Sequence, residues 1–148
     1  IACLVTSIAT YAQSNREDVE LIQSIYGKEK KEVVAQFIVL EDAQKDAFWK
    51  LYDEYEVKRK ELGRERVALL ERYAKNYATL DDAATDKLVK DMIKLTKSTD
   101  KLISTYYGKL KKAASVKTAA QFVQIESYLL SVVRANIFDS IPVIDELK

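Results

Sequence analysis

Apolar residues recur along this chain at spacings of three and four, from about residue 19 to residue 137. That period belongs to helices with one buried face, not to strands, whose apolar positions alternate. Val19, Ile22, Ile25 and Tyr26 form a first stripe, begun by a cap at Ser14 or Asn15. Glu17 and Asp18 fall in its first turn, where the helix dipole favours carboxylates. Gly27 weakens the helix, and "KEKKEVVAQFIVL" either continues it or starts a second, short helix with Val33, Val34, Phe37 and Ile38 inward. The next segment runs from about Glu41 to Asn76. Its apolar positions are Phe48, Leu51, Tyr52, Tyr55, Leu62, Leu69, Leu70, Tyr73 and Tyr77. A helix of roughly 35 residues is about 50 Å long. Gly63 lies inside it and marks either a bend or a close helix contact.

Asp81 or Asp82 caps a third helix, with Leu88, Val89, Met92, Ile93, Leu95, Thr99, Leu102, Ile103, Tyr106 and Leu110 on its stripe. Ser115 caps a fourth, with Ala119, Phe122, Val123, Glu126, Leu129, Leu130, Val133 and Ile137 inward, and Pro142 follows its end. The expected fold is all-α: long antiparallel amphipathic helices forming a small bundle or a helical hairpin cradle. Residues 13–148 make a single domain in this reading.

Composition narrows the chemistry. Three glycines and one proline in 148 residues are too few for a turn-rich β protein. Lysine plus arginine is 24 against 23 acidic residues, so the basic excess of a nucleic-acid binder is missing. With no histidine and one cysteine, Cys3, no Ser-His-Asp or Cys-His triad can be built. Gly27, Gly63 and Gly108 stand alone, so there is no phosphate-binding loop. The expectation is a non-enzyme with no catalytic, cofactor-binding or metal-binding residues; a site built from carboxylates alone stays open.

The stretch "IACLVTSIATYAQS" carries no charge before Arg16 and ends in small and polar residues. It reads as the later part of a secretory signal cleaved near Ala12–Gln13. Two alternatives stand beside it: the end of a membrane anchor, or a degenerate lipobox at Cys3. All three put the remainder outside the cytoplasm. Membrane association is expected only if residues 1–12 are retained.

Two constellations break the amphipathic pattern. Four aromatics, Phe48, Trp49, Tyr52 and Tyr55, crowd the start of the long second helix. Their periodicity favours core, with Trp49 off the main face; the functional alternative is a client or partner surface made by Trp49, Tyr52 and Tyr55. Arg59 and Arg66 continue the second stripe, and Glu126 sits on the fourth. An unpaired buried charge is very unfavourable, so a structural ion pair between an arginine and Glu126 is the economical reading. The offset along parallel helices favours Arg59 over Arg66. The charge runs "KEKKE" and "KRKELGRER" read as solvated helix faces, with a basic cradle for acidic clients as the sharper alternative.

Leu40 and Gln44, in "LEDAQ", match the ends of a Leu-Thr-x-x-Gln pattern with Glu41 in the threonine position. The pattern has a local meaning: the residue after the leucine caps a helix, and the glutamine reaches back to the cap's amide. With "FW..Y..Y", "ERYAKNY" and "QFVQIES" at their spacing, residues 36–128 resemble the LTxxQ-motif proteins, the Spy/CpxP-like envelope-stress group. A second copy at Leu80 to Ala84 lacks the glutamine. The resemblance implies a periplasmic helical protein, often a homodimer, that holds unfolded protein clients without ATP or dampens an envelope protein partner. The alternative is a membrane-anchored structural or assembly subunit of an envelope complex.

Overall fold

The computed structural model describes residues 29–141. Four helices fill them: α1 (Lys30–Phe37), α2 (Asp42–Asn76), α3 (Asp82–Ala113) and α4 (Val116–Ser140), with no strand among the described residues. The fold is an all-α bundle. The expectations for the first stripe, for residues 1–12 and for Pro142 lie outside the described residues.

Local chemistry sets the helix starts unevenly. Asp81 caps α3 by accepting from the Ala84 amide at 2.8 Å, and Ser115 caps α4 by accepting from the Thr118 amide at 3.0 Å. Both satisfy a backbone donor that a helix N-terminus leaves unpaired. At the start of α2 the capping box is not made. Glu41 forms no side-chain cap bond, and the Gln44 amide instead donates to the Ala114 carbonyl at 3.4 Å. The glutamine thus ties the start of α2 to the end of α3. α2 runs unbroken through Gly63.

The long helices run antiparallel in sequence order. At one end of the α2–α3 pair the rings of Tyr55 and Tyr106 lie 5.5 Å apart; at the other, Arg72 bonds Asp91 at 3.2 Å. α4 returns along α3, and α1 packs against α4. The larger core cluster joins Val33, Val34 and Ile38 of the N-terminal segment to Phe48, Tyr52 and Tyr55 of α2. Ile103, Tyr106 and Leu110 of α3 and Ala119, Phe122, Ile125 and Leu129 of α4 complete it. A smaller cluster at the α2–α3 turn holds Leu69, Tyr73, Leu88 and Leu95, with Ile141 packed on it.

Some expected inward positions face out. Phe37 is 54 % exposed, so α1 turns only Lys30, Val33 and Val34 inward, followed by Ile38. On α3, Val89, Met92 and Ile93 are 41, 37 and 49 % exposed. The buried positions Leu88, Leu95, Thr99, Ile103, Tyr106 and Leu110 make a narrower seam than the apolar pattern suggested. Two neighbours cover less of a helix than its sequence stripe offers, and the remainder stays in contact with solvent.

Candidate functional site

Where α1, α2 and α4 meet, the core holds charge. Lys30 is 4 % exposed and Glu126 3 %. The Lys30 ammonium donates to both Glu126 carboxylate oxygens, at 2.7 and 2.8 Å, and to Glu56 Oε1 at 2.6 Å. It also donates to the Tyr52 hydroxyl at 3.1 Å. Tyr52 and Tyr55 in turn donate to Glu126, at 3.1 and 2.7 Å. Glu56 is clamped from the other side by Arg59, whose Nε and Nη2 donate to its two oxygens at 2.8 and 3.1 Å. The Lys30 ammonium lies 5.3 and 5.4 Å from the ring centres of Tyr52 and Tyr55, within reach of cation–π attraction.

Each member reaches the cluster for a reason legible in its helix. Tyr52, Tyr55, Glu56 and Arg59 are three, four and seven apart and share one side of α2. Lys30 lies three and four residues before Val33 and Val34, so the residues that bury α1 carry the lysine in with them. Glu126 sits between the buried Phe122 and Leu129 of α4.

The electrostatics follow from burial and pairing. Burial alone pushes the Glu56 carboxyl up, but the charges of Lys30 and Arg59 and the hydrogen bonds they donate outweigh it. Its pKa is lowered below the ordinary carboxylate value. Tyr52 and Tyr55 are pushed well above the usual phenol value, first by burial and then by the Glu126 carboxylate. Both phenols therefore stay protonated and serve as donors. The arrangement satisfies its charges internally: ammonium to carboxylates, hydroxyls to carboxylate, guanidinium to carboxylate. Such a set suits holding three helices in one geometry better than transferring a proton.

The residues expected to carry function fall out as follows. Glu126 is buried on the inner stripe of α4, and the cation at its carboxylate is Lys30, which the sequence reading placed on a solvated face. Arg59 is bonded to Glu56. The expected Arg59–Glu126 pairing assumed a stagger between α2 and α4 that the bundle does not adopt. Glu126 lies ten residues beyond Val116, level with Tyr52, ten beyond Asp42. Arg59 and the half-buried Arg66 do line, with Lys30, Tyr55 and Glu126, one small cavity of about 20 Å³. Tyr52 and Tyr55 are 0 and 1 % exposed, so neither offers client surface. Trp49 is half-buried against the core, edge-on to Phe48 at 5.0 Å, with the Lys31 ammonium 5.2 Å from its ring centre. Leu40 is half-buried on the same core, and Gln44 reaches Ala114.

Lys30 and Glu56 are the two members that sequence reasoning passed over. The signal for Lys30 was its place one turn ahead of an inward Val-Val pair; the signal for Glu56 was its position one residue beyond the inward Tyr55. Among the described residues, no group of three or more Cys, Asp or Glu side chains is arranged to hold a metal ion, and no helix is long and apolar enough to cross a membrane. No family model, curated protein or solved structure matches the chain.

Proposed function

We propose that this chain is a non-enzymatic binding protein of the extracytoplasmic space, an ATP-independent, chaperone-like or envelope-stress accessory factor that holds segments of other polypeptides on its helical surface. The observation that carries the reading is on the outer side of α3. Val89, Met92 and Ile93 are exposed within little more than one turn. Beside them Lys90, Lys94, Lys97 and Lys101 follow at spacings of three and four and line a shallow groove with Ile93 and Ser98. Apolar side chains next to a row of ammonium groups suit non-native segments that mix apolar and acidic residues. Burial of the apolar groups supplies affinity, and the charges speed encounter. The LTxxQ resemblance implies the same kind of activity, and residues 1–12, as a secretory signal, the same compartment.

Purified chain, mixed at stoichiometric ratio with an unfolded client and no nucleotide, is expected to suppress light scattering from client aggregation. A Val89→Ser/Met92→Ser/Ile93→Ser variant replaces only exposed positions and is expected to keep its helical content while losing most of the suppression. Failure of the parent chain with several chemically different clients overturns the reading in favour of an assembly subunit.

A further inference from the structure

Charge is spread unevenly along α3. The chain as a whole has a net charge of +1, yet residues 92–125 hold seven lysines and one acidic residue, Asp100. The first turns of the helix are balanced: Lys87 pairs with Asp91, and Lys90 with Asp86. Beyond them the balance ends. Lys94, Lys97 and Lys101 follow at spacings of three and four, so they share one side of the helix, and all three are exposed. Among the described residues, none of the three meets a carboxylate at ion-pair distance. Asp100, seven positions after Ile93, lies with it at the flank and not within the row. Ser104, Thr105 and Gly108 continue the lysine side with small groups, and Gly108 has open space where a side chain would be. Lys112 ends it, so the row from Lys94 spans about 27 Å at 1.5 Å per residue.

We propose that this lysine row is a docking surface for a bilayer carrying anionic phospholipids, with α3 lying side-on along the membrane. A row of exposed lysines is ordinarily interleaved with acids, as it is at Lys87 and Lys90. Where the acids are missing, like charges one turn apart repel, and an external anionic surface removes that cost. The form of the row selects among anionic partners. It is a ridge along one straight helix, with no basic groove to track a single strand and no exposed aromatic side chain among the lysines for a base to stack on. It holds no arginine, so it lacks the rigid fork that reads carboxylate or phosphate in a fixed geometry. Point charges in a line suit a plane of mobile headgroups, which gather beneath them without a shape match. In the holding of clients the apolar groups supply affinity and the lysines speed encounter. In this second role the lysines carry the affinity, Val89, Met92 and Ile93 are not needed, and residues 1–12 take no part.

The test is co-sedimentation of the full chain with vesicles of phosphatidylcholine alone, and with about one third phosphatidylglycerol. The quantity read is the excess of binding to the anionic vesicles over the neutral ones. Each lysine held near an anionic surface strengthens binding by about fivefold. Lys94→Gln/Lys97→Gln/Lys101→Gln is therefore expected to bind the anionic vesicles about a hundredfold more weakly than the parent chain, with helical content unchanged. Lys50→Gln/Lys60→Gln/Lys75→Gln removes the same charge from exposed positions of α2 and is expected to stay within about threefold of the parent. The parent's excess is expected to vanish near 1 M salt, where the screening length is about 3 Å. Val89→Ser/Met92→Ser/Ile93→Ser is expected to bind the vesicles like the parent chain even where it no longer suppresses aggregation, so the holding reading and this one fail separately. Four results would overturn the proposal. The first is equal binding of the parent chain to the two kinds of vesicle. The second is an α3 lysine variant that binds like the parent. The third is an α2 variant that loses as much as the α3 variant, which would make the effect one of net charge. The fourth is polyglutamate that binds the parent chain as tightly as the anionic vesicles do and with the same dependence on Lys94, Lys97 and Lys101, which would assign the row to acidic polypeptides.

Discussion

Replacing Lys30 with methionine keeps the length of the side chain and removes its charge. The cost can be worked from the contacts. At about 2.7 Å an ion pair is worth roughly 6 kcal/mol in an effective dielectric near 20. Taking each ion out of water costs several kcal/mol, so the net value of the intact pair is small. Breaking it is a different matter, because the partner stays buried. Lys30→Met leaves Glu126 with two tyrosine hydroxyls and Glu56 with Arg59, and is expected to cost about 3–5 kcal/mol, as for other broken buried pairs. Glu126→Gln is expected to cost about 3 kcal/mol, at the low end because Lys30 keeps Glu56. The double variant strands neither charge and is expected to cost less than either single one.

Against a domain stability of about 5–15 kcal/mol these are large effects, readable by urea unfolding followed through Trp49 fluorescence and helical ellipticity. An unchanged dependence on urea concentration would show that the compactness of the two states is the same in all four proteins. The coupling between the sites should be at least 2 kcal/mol, well above the few tenths expected for independent positions. A double variant whose cost equals the sum of the singles would refute the pairing of Lys30 with Glu126.

Three further expectations test the surroundings of the cluster. Tyr106 has a buried hydroxyl with no hydrogen-bond partner, so Tyr106→Phe is expected to be neutral or to stabilise by about 1 kcal/mol, whereas Tyr55→Phe, which removes the 2.7 Å bond to Glu126, is expected to cost about 1–3 kcal/mol; thermal melts of both distinguish the two. Ser115→Ala and Asp81→Ala each remove a cap bond and are expected to cost about 1 kcal/mol, while Glu41→Ala, at a position that caps nothing, is expected to lie within about 0.5 kcal/mol of the parent in the same melts. Stability is expected to fall at both ends of a pH titration of the unfolding midpoint. Glu56 has a folded pKa lowered from 4.5, so its contribution is present above the unfolded value and is lost as pH drops through the folded one. Tyr52 and Tyr55 have folded pKa values raised above 10.0, so their contribution is present below that and lost as pH rises beyond it; a flat alkaline limb down to the Tyr52→Phe/Tyr55→Phe level would refute their burial as neutral donors.

The helices were legible because their signals are local. Asp81 and Ser115 announce starts, and the apolar period of α2, α3 and α4 is sustained over many turns. What could not be read locally is which part of a wide apolar stripe meets a neighbour. On α3 the pattern is the same for Leu88 and Val89, yet packing against α2 and α4 buries the first and leaves the second exposed. The same limit applies to Gln44. A capping box is a rule about one helix end, and the glutamine here answers to Ala114, seventy positions away along the chain. The aromatic run near the start of α2 resolved as its periodicity suggested, with Phe48, Tyr52 and Tyr55 inward and Trp49 at the margin.

The charged cluster was half legible, and the missing half is a matter of register. Glu126 on an apolar stripe demands a cation, and sequence offers Arg59 and Arg66 on a facing helix. The choice between them and Lys30 depends on the relative height of α2 and α4, which no single helix encodes. With the two helices starting level, the residues opposite Glu126 are Tyr52 and Tyr55, which donate hydrogen bonds but bring no charge. The cation must then come from elsewhere, and α1, packed against α4, supplies it. A one-turn slip of α4 along α2 would move Glu126 about 5.4 Å and take it out of reach of both tyrosine hydroxyls and the ammonium together. The apolar contacts around it would suffer less, since Leu and Phe side chains tolerate a shifted neighbour better than a 2.7 Å hydrogen bond does. The cluster thus penalises misregistered packings more than it stabilises the correct one, and it makes the docking of α1 a condition for the correct one. Replacing all six polar members, Lys30, Tyr52, Tyr55, Glu56, Arg59 and Glu126, by apolar residues of similar volume is therefore expected to preserve helical content and overall stability. The register should blur: tertiary amide exchange and Trp49 fluorescence would report several packings where the parent chain shows one.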